Sequence, residues 1–155
     1  MPIKSFRGNI AHDTVETIAL STNNGSTGYK IKKLQIFPEK PTSTSTEAMF
    51  KVFSIVQTSA GVDVDFSDNT LLAMAYYSAS SSSENQPDDM TIVFDNITFN
   101  QDIYLTMRNV QSGNNSINYH IELEQVKLSL DENTVATLKD IRNIEQSGQW
   151  VNNII

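Results

Sequence analysis

The chain has 155 residues, a formal net charge of −7, a pI near 4.7, a mean hydropathy of −0.30 and no cysteine. One domain of this length buries roughly two thirds of its unfolded surface. The acidity opposes nucleic acid and anionic membranes as partners, and the missing thiols exclude disulfides, thiolate metal sites and cysteine nucleophiles.

The opening "MPIKSFRGNIAHD" carries Lys4 and Arg7 with no apolar run behind them, so no signal peptide is expected. No stretch approaches the roughly 20 apolar residues of a membrane-spanning helix. "STNNGSTG" then supplies a turn at Asn24-Gly25, where both residues tolerate positive φ. "GYKIKKLQIFPE" reads as a strand of ambiguous face: Tyr29, Ile31, Lys33, Gln35 and Phe37 share one parity, Leu34 and Ile36 the other. Pro38 ends it, and Lys30, Lys32 and Lys33 read as its solvent face.

"AMFKVFSIVQT" is apolar on both faces, the pattern of a central strand. "VDVDF" alternates, which predicts a strand with Val62, Val64 and Phe66 on one side. "DNTLLAMAYYSAS" fits either a short helix capped by Asp68 or, as the preferred reading, a turn followed by a strand, and the serine run Ser80–Ser83 reads as a surface loop. "MTIVFDNITFNQDIYLTMRN" predicts two strands around a turn or bulge at Asp95-Asn96. In "INYHIELEQVKLSL", Ile117, Tyr119, Ile121 and Leu123 keep one parity and Val126, Leu128 and Leu130 the other. A β-bulge or bend is therefore expected near Glu124-Gln125.

From Ser129 the period becomes helical. Ser129 with Glu132 fits a capping box, Val135, Leu138 and Ile141 fall at helical spacing, and Gly148 is a stop. The expected fold class is all-β: a two-sheet β-sandwich of jelly-roll type with a C-terminal α-helix and a short tail. Residues 1–130 form the β domain, 131–147 the helix and 148–155 the tail. Trp150, Val151, Ile154 and Ile155 make that tail apolar and uncharged, and they are the expected interaction residues, since tryptophan is enriched at interface hot spots.

The search for chemistry yields little. Asp63, Asp65 and Asp68 imitate the front of a calcium loop, but Asp68 stands where that loop needs glycine and Met74 where it needs glutamate. Asp88, Asp89, Asp95 and Asp102 read as loop carboxylates, His12 as part of a polar turn, and His120 as the polar face of a strand. Tyr29, Tyr76, Tyr77, Tyr104, Tyr119 and Trp150 raise sugar stacking, with packing as the ordinary reading for the tyrosines. No G-x-S-x-G, H-E-x-x-H or phosphate-binding glycine loop is present. Neither catalytic residues nor a metal or cofactor is expected.

Four stretches carry a resemblance: "MPIKSFRG", "DTVETIALSTNNGSTGYKI", "VFDNITFNQDIYL" and "YHIELEQVKLSLDENTVATLKDIRNIE". Together they resemble a family of small virion structural proteins from tailed bacteriophages of marine bacteria. The resemblance implies a non-enzymatic capsid decoration or cement protein, present in many copies or as a homo-oligomer. Its partners would be the major capsid protein or other virion proteins, with assembly in the host cytoplasm. A tail, collar or fibre component, including a carbohydrate-binding adhesion module, is the alternative.

Overall fold

Alternating apolar residues and polar connections give eight strands in a computed structural model that describes residues 2–20, 26–80, 87–94 and 96–128. The strands are β1 (Ile3–Ile10), β2 (Thr14–Ile18), β3 (Thr27–Pro38), β4 (Thr46–Phe53), β5 (Leu71–Ala79), β6 (Asp88–Val93), β7 (Ile103–Asn109) and β8 (Ile117–Lys127). They form two antiparallel sheets, β1-β8-β3 and β2-β7-β4-β5-β6. The protein is all-β among the described residues. The helix expected over 131–147 and the tail over 148–155 lie outside them, as do Asn24-Gly25, Ser81–Ser83 and Asp95.

Both sheets turn apolar faces to a common core. Ile10, Ile31, Leu34, Ile117, Ile121 and Leu123 of the smaller sheet join Phe50, Val52, Ala73, Ala75, Leu105 and Met107 of the larger in one buried cluster. The Phe50 and Tyr119 rings meet across it at 5.5 Å. Burial of each large side chain here contributes about 1.5–3 kcal/mol relative to exposure. As expected for a strand apolar on both faces, β4 is central, flanked by β7 and β5. Its inner row, Thr46, Ala48, Phe50 and Val52, is fully buried, and Lys51 and Phe53 of its outer row are buried as well.

Two sequence expectations are corrected. First, the bulge lies in β3, not at Glu124-Gln125. Register shifts between Ile31 and Lys33, while β8 stays in unbroken pairing with β3 from Ile117 to Lys127. The extra residue, Lys32, moves Tyr29 and Ile31 onto the same face as Leu34 and Ile36, which is why the strand read as ambiguous. The parity change at Val126 and Leu128 has another origin. Leu128 lies past the strand end and folds over Gly28, where a Cβ would come within 2.9 Å of its Cδ1.

Second, "VDVDF" is not a strand. Residues 54–70 lie outside any ladder, closed by a hydrogen bond from Ser54 N–H to the Thr70 carbonyl (2.9 Å). The carboxylates of Asp65 and Asp68 bind backbone and hydroxyl groups two residues ahead, and this local turn chemistry competes with strand pairing. The two strands expected in "MTIVFDNITFNQDIYLTMRN" are β6 and β7, and Ile97 N–H donates to the Phe94 carbonyl (3.2 Å) after the first of them. Between β6 and β7 the chain leaves the large sheet, and Phe99 makes an isolated bridge to Tyr29 of β3.

One end of the molecule is fastened by two buried asparagines. Asn109 donates from Nδ2 to the Asn115 carbonyl (3.0 Å), and its Oδ1 accepts from the N–H groups of Glu47 and Gln111. Asn115 donates to the Lys40 carbonyl and to Thr46 Oγ1, and its Oδ1 accepts from Lys40 N–H. The neighbouring Asn114 takes φ 51°, a left-handed conformation that asparagine tolerates.

Candidate interaction surfaces

β3 and β6 are the end strands of their sheets, and they face each other across an open seam. β3 pairs with β8 on one side. On its other side Tyr29 bridges Phe99: its N–H donates to the Phe99 carbonyl (2.7 Å) and its carbonyl accepts from Phe99 N–H (3.0 Å). β6 pairs with β5 alone. The Phe37 ring of β3 meets Tyr77 of β5 edge-on at 6.0 Å, and Tyr77 is the ladder partner of Asp89 in β6. The seam thus runs beside the residues from Lys32 to Phe37 on one wall and from Asp89 to Val93 on the other.

A groove of about 1270 Å³ follows this seam and spreads over the outer face of the small sheet. Leu34, Ile36, Val93 and Tyr119 supply its apolar depth, and Arg7, Asn9, Gln35, Asn118 and His120 its polar surface. Register explains the polar row: Arg7 and Gln35 both lie opposite His120, and Asn9 and Phe37 both lie opposite Asn118. Lys32 reaches Glu124 at 4.0 Å and His120 reaches Glu122 at 3.9 Å. Arg7 of β1 and Lys33 of β3 form no ion pair among the described residues. Phe37 is 53% exposed.

Two tyrosines near the seam are electrostatically perturbed. Burial, then the charge of Asp89, pushes the Tyr77 hydroxyl above its ordinary pKa. Burial, then the charge and hydrogen bond of Glu16, does the same for Tyr119, whose hydroxyl donates to Glu16 Oε2 at 3.5 Å.

A second surface lies on the other side of the molecule. The apolar residues of "VDVDF" point outward: Val62 is 41% and Phe66 56% exposed. The Phe66 ring stands edge-on to Phe94 at 5.3 Å. The loop beneath is organised by Lys51, whose Nζ donates to the Asp63 carbonyl (2.7 Å) and lies 5.5 Å from the centre of the Phe53 ring. Burial lowers the Lys51 pKa, against the opposing pull of Asp63 and Asp68. The cation near these aspartates is therefore a lysine ammonium. No metal-ligand cluster of three histidine or acidic side chains occurs among the described residues.

The other sequence candidates have structural partners. His12 Nδ1 accepts from Asn109 N–H (3.1 Å), and Asp102 Oδ1 accepts from Leu20 N–H (2.9 Å). Tyr29 packs on Phe99 at 6.2 Å. Trp150, Val151, Ile154 and Ile155 lie outside the described residues. Sequence reasoning missed the seam, and its one local signal was Phe37, an aromatic in step with Lys33 and Gln35. No protein-family model, curated protein or solved structure matches the chain.

Proposed function

We propose that the protein is a non-enzymatic structural subunit of a phage virion, a decoration or cement protein that docks on the major capsid protein. The observation that carries this reading is the exposed Phe66 ring paired with Phe94, with Val62 exposed on the same loop. Exposed apolar side chains gathered on one surface mark interaction sites, whereas isolated ones are ordinary. The sequence resemblance supplies the class of partner. Docking at many equivalent positions would stabilise the particle by mass action on its assembled state.

The strand order supports a jelly-roll sandwich as the architecture. Nested antiparallel pairs join β1 to β8, β2 to β7 and β4 to β5. The fourth nested pair of that topology, β3 with β6, corresponds to the open seam.

The test is attachment of purified protein to capsid shells that lack it, with copy number per particle counted against the major capsid protein. Hundreds of copies on the shell, lost in a Val62→Ser/Phe66→Ser variant of unchanged circular dichroism, are expected. A dozen or fewer copies would move the protein to the tail or a unique vertex. In that case the second reading, a glycan-binding module, would rest on the exposed Phe37 ring among Asn9, Gln35 and Asn118.

A further inference from the structure

We propose that the groove over the outer face of the small sheet binds an acidic oligosaccharide, a chain of sugar rings that carry carboxylates. The proposal rests on the second reading above, glycan binding, and names the chemistry of the ligand; it does not depend on docking to a capsid.

Strand alternation builds the site. Ile117, Ile121 and Leu123 of β8 face the core, so Asn118 and His120 face outward. The ladders set two rows across the three strands: Arg7, His120 and Gln35 in one, Asn9, Asn118 and Phe37 in the next. At about 4.8 Å between strands and about 3.3 Å per residue, each row spans about 10 Å and the two lie about 7 Å apart. That is the footprint of two linked sugar rings. Both rows line the same groove of about 1270 Å³.

The side chains select the ligand. Arg7, Lys33 and Gln35 make no side-chain hydrogen bond or ion pair among the described residues, whereas Lys32 lies near Glu124 and His120 near Glu122. A guanidinium meets a carboxylate through two parallel hydrogen bonds, and Lys33 adds a second unpaired cation to the lining. Asp89, the one carboxylate of the lining, belongs to the opposite wall. Asn9 donates to Asn118 Oδ1 (3.0 Å), which occupies that oxygen and leaves the Asn118 amide nitrogen to donate. Gln35 brings a donor and an acceptor, and sugar hydroxyls require both. The Phe37 ring stays 53% exposed while Tyr77 holds it edge-on at 6.0 Å. A fixed aromatic ring takes the C–H face of a pyranose, and both lose water in the contact. A protein partner would call for an apolar centre in place of these polar rows, and the net charge of −7 opposes nucleic acid.

The test is a titration of the ¹⁵N-labelled full chain with tetragalacturonate, with its uncharged counterpart tetragalactose, and with polyglutamate as a polyanion without sugar rings. Tetragalacturonate is expected to shift the amides of Arg7, Gln35, Phe37, Asn118 and His120 to saturation, with tetragalactose about tenfold weaker and polyglutamate weaker still. Arg7→Gln should weaken tetragalacturonate about tenfold, the worth of one charged hydrogen bond, and leave tetragalactose binding and thermal unfolding unchanged. Phe37→Ser should weaken both sugars. Equal affinity for the two sugars would overturn the acidic assignment and leave glycan binding standing. Polyglutamate binding as tightly as tetragalacturonate would reduce the site to a cationic patch and overturn the proposal. Shifts centred on Val62–Phe66, or none with any probe, would remove glycan binding from this groove as well.

Discussion

The ammonium of Lys51 donates a 2.7 Å hydrogen bond to the carbonyl of Asp63, tying the outer face of the central strand to the loop that crosses it. Lys51 is only 7% exposed, so its charge is held by that carbonyl, by Asp63 and Asp68, and by the nearby Phe53 ring. Lys51→Ala removes both the anchor and the packed stem, and a loss of about 2–3 kcal/mol is expected in urea unfolding. Lys51→Met keeps most of the stem and should cost less. Equal losses in the two variants would show that the hydrogen bond, not the packing, holds the loop.

Asn115 makes the second such tie. Replacing it with leucine conserves bulk but strands the Lys40 N–H and carbonyl and the Thr46 hydroxyl. Buried groups left unpaired cost about 1–3 kcal/mol each where water cannot reach them. A drop of about 3 kcal/mol with an unchanged denaturant slope is the expected result, and a loss below 1 kcal/mol would mean that water replaces the side chain.

Gly8 lies opposite Tyr119, and a Cβ there would stand 2.6 Å from its hydroxyl oxygen and 2.8 Å from Cζ. The ring cannot swing freely, because it packs on Phe50 and its hydroxyl donates to Glu16. Gly8→Ala should therefore destabilise by about 1–3 kcal/mol through overpacking. The penalty should shrink in a Tyr119→Leu background, and calorimetry on the four members of that cycle decides the matter.

Thr106 is almost fully buried, and its hydroxyl lacks a hydrogen-bond partner among the described residues. Thr106→Val keeps the shape and removes the unpaired group. A gain of about 1 kcal/mol is expected, and a loss in thermal unfolding would show that the hydroxyl is satisfied by water.

Above pH 10 two opposing contributions meet. Tyr77 and Tyr119 hold their protons more tightly when folded than the ordinary 10.0, so the unfolded chain releases them first. Stability then falls as pH rises past 10.0 through their folded values. Lys51 acts the other way: its folded pKa lies below 10.5, so its contribution rises with pH until 10.5 is passed. Urea unfolding from pH 9 to 11 should show a net fall that flattens in Tyr77→Phe/Tyr119→Phe and steepens in Lys51→Met. An unchanged profile in the tyrosine double variant would reject burial as the cause.

The fold was legible where one residue faced one environment. The double-sided apolar pattern of β4 identified a central strand, and the turn-then-strand reading before Tyr76-Tyr77 matches β5. Legibility failed where a side chain's partner was distant in sequence. The face change at the end of β8 read as a bulge near Glu124-Gln125 that is not there, because parity alone cannot tell a bulge from a residue such as Leu128 that lies past the strand end. The alternation of "VDVDF" was genuine, yet Asp65 and Asp68 spend their carboxylates on local turns, and Val62 and Phe66 face outward. The seam was invisible for a related reason: it arises from β6 pairing with β5 rather than β3, a choice of ladder that strand-level patterns do not encode.

The bulge at Lys32 also bears on how sequences of this kind can change in length. Loss of that one residue would leave Ile31 and Leu34 two positions apart, matching Leu123 and Ile121 opposite them, so the strand could shed the bulge and keep Tyr29, Ile31, Leu34 and Ile36 on the core face. The stretch from Glu39 to Ser45, which joins β3 to β4 outside any ladder, carries no such phase. Insertions and deletions should accumulate there, and a one-residue loss at the bulge, while the unbroken pairing from Lys33 to Pro38 keeps its length.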